Sequence, residues 1–412
     1  MLPTIVIVLV IYFASMVAIG FMGRNKASNF EGYLSMGRSA GVLLLMGGAI
    51  GGNIGNGFVV GGAAEGASVG MAGSAYGIAC ALSAVMVAIF LNNFIYNGGY
   101  MSMADYTRKR YHNEIPGTIY DLSTAISSIG LIAGQIMAGK ALFEALGLPG
   151  NVGAVAIAVV VLLYSQLSGL WGAFATSVIQ TAVIAIGLVS TTIILLTKGA
   201  IGEMQSAIQA GTIAKSSLDF SGLSAAGFAG MMLPLLLGMV TDQPTYQRIN
   251  SAKSAKISRV ACYLSCLVMI PLALMPAFIG MYGAAKFGAA GNAAFFTVVI
   301  NSLPAILGAI MMAAVLAAIM STIDSFMVAI STMALHDVYR GMINPKADPK
   351  KLTHWDHIVS IVTAVIALII ALVATNIIGM LCSVTASPVM SEYAFMAPTK
   401  AAVPEIGVGA AT

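Results

Sequence analysis

The chain has 412 residues, 59% hydrophobic and 8% charged, with a formal net charge of +4, against roughly 25% charged residues in an ordinary globular chain. Stretches of 53, 39 and 37 residues without Asp, Glu, Lys or Arg run from Glu144 to Lys198, Glu65 to Asp105 and Lys286 to Asp324, each longer than the ~18 apolar residues that one bilayer crossing needs. This composition excludes a soluble protein and implies an all-α polytopic membrane protein.

Cys80, Cys262, Cys266 and Cys382 all lie in apolar stretches without a CxxC pair, so neither a disulfide framework nor a zinc site is indicated. The basic residues cluster in short segments between apolar runs, where membrane topology explains them without nucleic acid.

Hydrophobic runs, charge clusters and Gly/Pro breaks predict ten spans, at about 3–23, 41–66, 69–97, 118–146, 150–168, 172–197, 226–247, 258–281, 303–335 and 356–378. A weaker eleventh, about 379–398, is interrupted by Pro388 and Glu392. The first span has no Lys or Arg before it and Arg24 and Lys26 directly after it, the reverse of a secretory signal, so it reads as a retained anchor with its N-terminus outside. Counting Lys and Arg in alternate connections tests this path. Segments 24–40, 98–117, 248–259 and 336–355 hold fourteen, whereas the opposite side holds Lys198, Lys215, Lys286 and Lys400, a positive-inside pattern expected of a multi-pass plasma (inner) membrane protein.

The second span contains GGAIGGNIGNG from Gly47 to Gly57, more than half of it glycine, which makes a poor continuous helix. Close packing through Gly48/Gly52 and Gly51/Gly55 is one reading. An unwound midpoint whose carbonyls coordinate an ion is the other, and it also accounts for Asn53 and Asn56. The seventh span ends in LLGMVTDQPTYQR, where Pro244 is expected to break the helix beside Asp242 and Gln243. Two breaks in corresponding places point to an inverted-repeat transporter with its site between them. In the ninth span, AAIMSTIDSF sets Ser321, Asp324 and Ser325 on one helix face with Thr322 beside it. Ser and Thr in membrane helices often bond back to their own helix, but a carboxylate at mid-span is costly enough to imply a function. Hard oxygen ligands of this kind suit a small alkali cation.

WGAFATSVIQ (Trp171–Gln180), TDQPTYQR (Thr241–Arg248), AAIMST (Ala317–Thr322) and the glycine-rich second span resemble, in order and spacing, the sodium:solute symporter family over about residues 1–378. The resemblance implies a leucine-transporter-like fold: two inverted five-helix repeats after one extra helix. Segments 1–40 would hold the extra helix and a cytoplasmic connection, 41–197 the first repeat, 198–225 an extracellular loop, 226–398 an incomplete second repeat and 399–412 a tail. It implies a sodium-coupled importer of a small organic solute, not an enzyme, with no organic cofactor. A proton-coupled carrier of the same fold and a shortened, non-transporting remnant are the alternatives.

By the same resemblance, the main sodium site would use the carbonyls of Gly51, Ile54 and Ala318 and the hydroxyls of Ser321 and Thr322. The solute would meet Asn53, Phe58, Asp242 and Gln243. Phe58 stands where sugar carriers tend to have a polar side chain, which favours an amino acid, vitamin or other zwitterionic or nitrogen-containing solute. The family's TD pair is Thr176-Ser177 here, whereas Asp324 stands where a serine is common. Either the carboxylate of a second cation site has changed walls, leaving Ser177, Ser321, Asp324 and Ser325 as its ligands, or the chain is a single-sodium carrier in which Asp324 pairs with a polar neighbour.

Overall fold

Polar residues flanking the apolar runs define the helix ends in the computed structural model, which describes residues 2–23, 35–238 and 241–373. α1 is Leu2–Gly23. The second span is broken: α2 (Val42–Asn53) stops at Ile54, whose backbone leaves the helix at φ −90°, ψ 80°. A wide turn over Gly57–Gly61 then leads into α3, Gly62–Val69. At Gly70 (φ 69°, ψ −143°) the chain turns into α4 (Ala75–Met86), which runs on to α5 (Asn92–Gly98). The apolar stretch Gly57–Gly98 is thus two spans meeting at Gly70, as the sequence predicts.

α6 (Met103–Tyr111) starts where Ser102 Oγ accepts the Asp105 N–H, and α7 (Glu114–Ala145) where Asn113 Oδ1 accepts the Ile115 N–H; such side-chain oxygens satisfy donors that the first helical turn leaves open. α8 (Gly150–Thr197) kinks at Gly169 (φ 53°, ψ −146°), inside the boundary predicted between the fifth and sixth spans.

After α9 (Ala200–Gln209) and two short turns come α10 (Ala225–Gly238) and α11 (Gln243–Ser251), inclined at 49°. The break expected beside Asp242 and Gln243 is present: Asp242 leaves helical geometry (φ −72°, ψ 106°) and caps α11, and Pro244 lies in the first turn of that helix, a place where its missing N–H costs nothing.

α12 (Ala255–Phe287) begins at the Ser254 cap and ends at Gly288, φ 61°. α13 (Asn292–Ser302), α14 (Ala305–Thr332) and α15 (Pro349–Val373) follow, with a wide-turn segment Met333–Ile343 between the last two. The predicted eleventh segment and the tail lie outside the described residues.

α14 runs through the middle of the bundle. From Met311 to Ser325 every residue is buried, as expected of a helix apolar on all sides. α3 and α12 touch backbone to backbone, since a Cβ on Gly280 would sit 1.8 Å from the Ala63 carbonyl oxygen.

The charge-based topology agrees with the contacts. Ala40 and Ala252 pair through Ala40 N–H to Ser251 O (2.9 Å) and Lys253 N–H to Ala40 O (3.1 Å), and Arg108 reaches Asp121 and Met342. On the other side Lys286 meets Glu203 at 2.9 Å and Lys198 donates to Ser302 O. The basic connections therefore share one face of the bundle.

Candidate functional site

The break in the second span lies across α14. A Cβ built on Gly51 would stand 2.8 Å from both Cβ and Oγ of Ser177 and 3.2 Å from Ser321 Cβ; one on Gly55 would stand 2.8 Å from Thr322 Oγ1 and 3.0 Å from Gln135 Nε2. Close approach to the Ser177 Cβ requires glycine at 51, Gly55 faces side-chain ends that can turn aside, and the same approach brings the broken backbone onto the hydroxyl face. Both packing and unwinding, the two readings of this glycine-rich segment, are present.

On α14 the Ser321 and Thr322 hydroxyls each donate to the Ala318 carbonyl at 3.1 Å. Four of the five residues expected for the main sodium site, Gly51, Ala318, Ser321 and Thr322, are thereby placed together, and Ile54, fully buried, is the first residue past α2. Ser177 Oγ is buried with no hydrogen-bond partner, a feature that calls for a ligand. Hard oxygens and an orphan hydroxyl of this kind can take a small cation.

Within the expected second cation set, Ser177 and Ser321 flank Gly51. Asp324, fully buried, instead accepts the Tyr164 hydroxyl at 2.8 Å and lies 3.5 Å from Thr176 Oγ1 and Ser325 Oγ. Ser325 Oγ donates to Ser321 O at 2.9 Å. Among the described residues no cationic side chain pairs with Asp324.

Of the four expected solute residues, Asn53 and Asp242 share the neighbours Thr245 and Arg248, whereas Gln243 and Phe58 are turned to other partners. Asn53 lines a small cavity of about 30 Å³ with Ser83, Thr245, Arg248 and Cys262. Asp242 Oδ2 accepts the Thr245 N–H (3.0 Å) and hydroxyl (2.6 Å), with Arg248 at 3.8 Å. Gln243 turns away to donate to Met101 O at 3.0 Å. Phe58 is 2% exposed and packs toward Gly77 of α4.

Two residues of this neighbourhood are absent from the sequence reading. Gln135 Oε1 accepts the Asn56 N–H at 3.0 Å and so satisfies a donor that the break exposes. A lone Gln in the apolar run LIAGQIMAG was the available signal. Tyr164, which clamps Asp324, had none, because a mid-span tyrosine reads as packing. Behind it, Gln180 donates to the Tyr12 hydroxyl at 3.2 Å and ties α1 to α8.

Comparison with known proteins bears on this arrangement. Human high affinity choline transporter 1 is 23% identical over 311 residues, which cover 68% of this chain and 51% of that protein; the chain spans about half the length of this curated relative. A Na+-coupled sialic acid symporter in a substrate-bound outward-open state matches with a TM-score of 0.80 at 18% identity, over 94% of this chain and 86% of that one. A nucleobase-cation-symport-1 family transporter, closed with bromovinylhydantoin bound, matches with a TM-score of 0.57 at 13% identity, over 88% and 79%. The fold is therefore leucine-transporter-like, as expected. The model of the sodium:solute symporter family matches residues 33–397, from before α2 to beyond α15, and by that match the chain belongs to the sodium:solute symporter family.

Proposed function

We propose that this chain is a sodium-coupled secondary active symporter that imports a small organic solute by alternating access across the plasma membrane, with its N-terminus outside. The observation that carries this is the close approach of Gly51 and Gly55 to Ser177, Ser321 and Thr322. Sodium would bind between the broken span and α14, through the Gly51, Ile54 and Ala318 carbonyls and the Ser321 and Thr322 hydroxyls. Binding there draws α2 and α3 onto α14 and completes the solute site next to Asn53. Solute must then tighten sodium binding by the same factor. The repeat boundaries at 41–197 and from 226 onward follow from placing the two interrupted spans in equivalent positions.

A nitrogen-containing or zwitterionic solute is favoured over a sugar. Phe58 offers no polar group, and the choline transporter among the relatives is named for a nitrogen-containing cation. Asn53 is the leading contact, since Asp242 Oδ2 is committed to capping α11 and Gln243 points elsewhere. Ser177, Ser321, Asp324 and Ser325 would hold a second cation, which matters for leverage. One sodium moving down a tenfold gradient and 100 mV releases about 3.7 kcal/mol, enough to hold a neutral solute near 500-fold; a second would roughly square that ratio.

The test is the melting temperature of purified protein titrated with sodium against a potassium control, in wild type, Thr322→Ala and Asp324→Asn. The proposal expects a sodium-specific rise that Thr322→Ala abolishes and Asp324→Asn reduces. A wild type indifferent to sodium would refute it.

A further inference from the structure

Arg248 lies in the second turn of α11, and its guanidinium is enclosed. The side chain is 12% exposed, and a Cβ on Gly52 would stand 2.8 Å from Nη2, so the group lies against the backbone of α2 where that helix ends. A charged side chain held inside a membrane bundle marks a functional site by default. Asp242 balances part of the charge from 3.8 Å, which is outside hydrogen-bonding distance, and its Oδ2 already takes the Thr245 N–H and hydroxyl. No acceptor among the described residues receives a hydrogen bond from the guanidinium.

The same guanidinium lines the small cavity beside Asn53, between α2, α4, α11 and the first turns of α12. Of the other polar side chains there, Ser83 donates to Cys80 O at 2.7 Å, Ser258 to Ala255 O at 3.2 Å and Thr245 to Asp242 at 2.6 Å. Their hydrogens are committed, which leaves the Asn53 amide and the Arg248 guanidinium as nitrogen donors without a partner among the described residues. Leu45, Ala49 and Ile249 supply apolar walls. Leu45 also packs with Ala40, Ala252 and Ala261, so an apolar plug separates the cavity from the basic face of the bundle. Its volume of about 30 Å³ exceeds the ~10–15 Å³ that holds one water and suits an acid group, not a whole solute.

We propose that this cavity is an inner subsite for the carboxylate of the transported solute, held by the Arg248 fork and the Asn53 amide. Two parallel N–H groups match the two carboxylate oxygens, and walls that exclude water strengthen the contact. The assignment rests on the symport reading and narrows it: the solute is a zwitterion with an acid group, not a plain cation such as choline. Asn53 at the break and Arg248 deeper along α11 then mark two successive positions on the inward path, and the Ala40–Ala252 pairing must part before release.

The probe is formate, the smallest carboxylate. Saturation-transfer NMR on the full chain in detergent, in potassium chloride without sodium and at fixed ionic strength, reads its binding in wild type, Arg248→Gln, Arg248→Lys, Gly52→Ala and Lys256→Gln. Wild type should bind formate saturably. Arg248→Gln should abolish that binding, and Arg248→Lys should keep a weakened form, because a point charge lacks the fork. Gly52→Ala, which pushes Nη2 aside with the charge retained, should weaken it too. Lys256 is exposed and outside the cavity, so its loss should change nothing. At least one of glycine, proline and betaine should displace formate from wild type, whereas choline should not.

No saturable binding in wild type, equal binding in Arg248→Gln, or equal loss in Lys256→Gln would overturn the subsite. Displacement by none of the three zwitterions, or by choline, would overturn its assignment to the solute. The displacement arm uses wild type alone and decides if the Arg248 variants do not fold. Sodium is absent throughout, so this inference and the symport reading fail separately.

Discussion

Gly51→Ala offers the sharpest probe of the broken span. The added methyl would lie 2.8 Å from Ser177 Cβ and Oγ and 3.2 Å from Ser321 Cβ. Ordinary contact begins near 3.4 Å, so the first of these needs about 0.6 Å of relief (3.4 − 2.8). Rotating Ser177 moves its hydroxyl but not its Cβ, and the Cβ positions belong to α8 and α14, which are packed through the centre of the bundle. Relief must come from α2 moving outward, at an overpacking cost of about 1–3 kcal/mol.

That movement also carries the Gly51 carbonyl away from Ser321 and Thr322. A tenfold loss of sodium affinity would remove about 1.4 kcal/mol of ligand stabilisation at saturating sodium. Thermal melts with and without sodium separate the two effects, because the first appears in potassium and the second does not. Ser177→Gly in the same background should restore stability, giving a coupling energy of about 1–2 kcal/mol. Gly51→Ala with wild-type melting, or a double variant whose losses simply add, would show that α2 does not lie against α8 as described.

Gln135→Glu keeps the acceptor for the Asn56 N–H but adds a negative charge beside Thr322, so the half-saturating sodium concentration should fall, whereas Gln135→Leu should raise it; equal values for both variants would remove Gln135 from the site. Tyr164→Phe leaves buried Asp324 without its 2.8 Å hydroxyl donor and should cost about 1–3 kcal/mol, a loss that a cycle with Asp324→Asn should show to be shared. Arg108→Gln strips the guanidinium from buried Asp121, 2.6 Å away, and should destabilise by about 3 kcal/mol, measured by denaturant or thermal melts in detergent at neutral pH and reduced when Asp121→Asn is added.

Most of the spans were legible because bilayer crossing imposes length and hydrophobicity on the sequence directly. The breaks were legible to different degrees. At Gly51–Gly57 the residues that permit unwinding are those that unwind, so composition located it. Near Pro244 the proline marked the break from its C-terminal side, since it opens α11 and the non-helical Asp242 lies just before it. α9 and α13 were missed because they are short helices beside the spans, with no length constraint to betray them.

Within the site, the α14 face was readable because its members are three and four residues apart. Pairings across the bundle were not: Tyr164 with Asp324, and Gln180 with Tyr12, join residues more than 150 positions apart in the chain. No local periodicity encodes them. The second cation set illustrates the limit, since Ser177 and Asp324 were grouped by family position and nothing local in the sequence marks the Tyr164 hydroxyl that donates to Asp324.

The buried polar residues of α14 sharpen what this helix is for. A helix enclosed on every side gains most from apolar packing, and each unneeded hydroxyl or carboxylate carries a desolvation cost. Ser321, Thr322 and Ser325 offset part of that cost by bonding back to Ala318 and Ser321 carbonyls, an economy available in any helix. Asp324 has no such local solution. Its nearest donor comes from α8, and its charge has no counterpart among the described residues, so packing alone gives no reason to prefer it to asparagine or serine. Asp324→Asn is therefore predicted to act on the sodium response more than on the stability of the sodium-free chain.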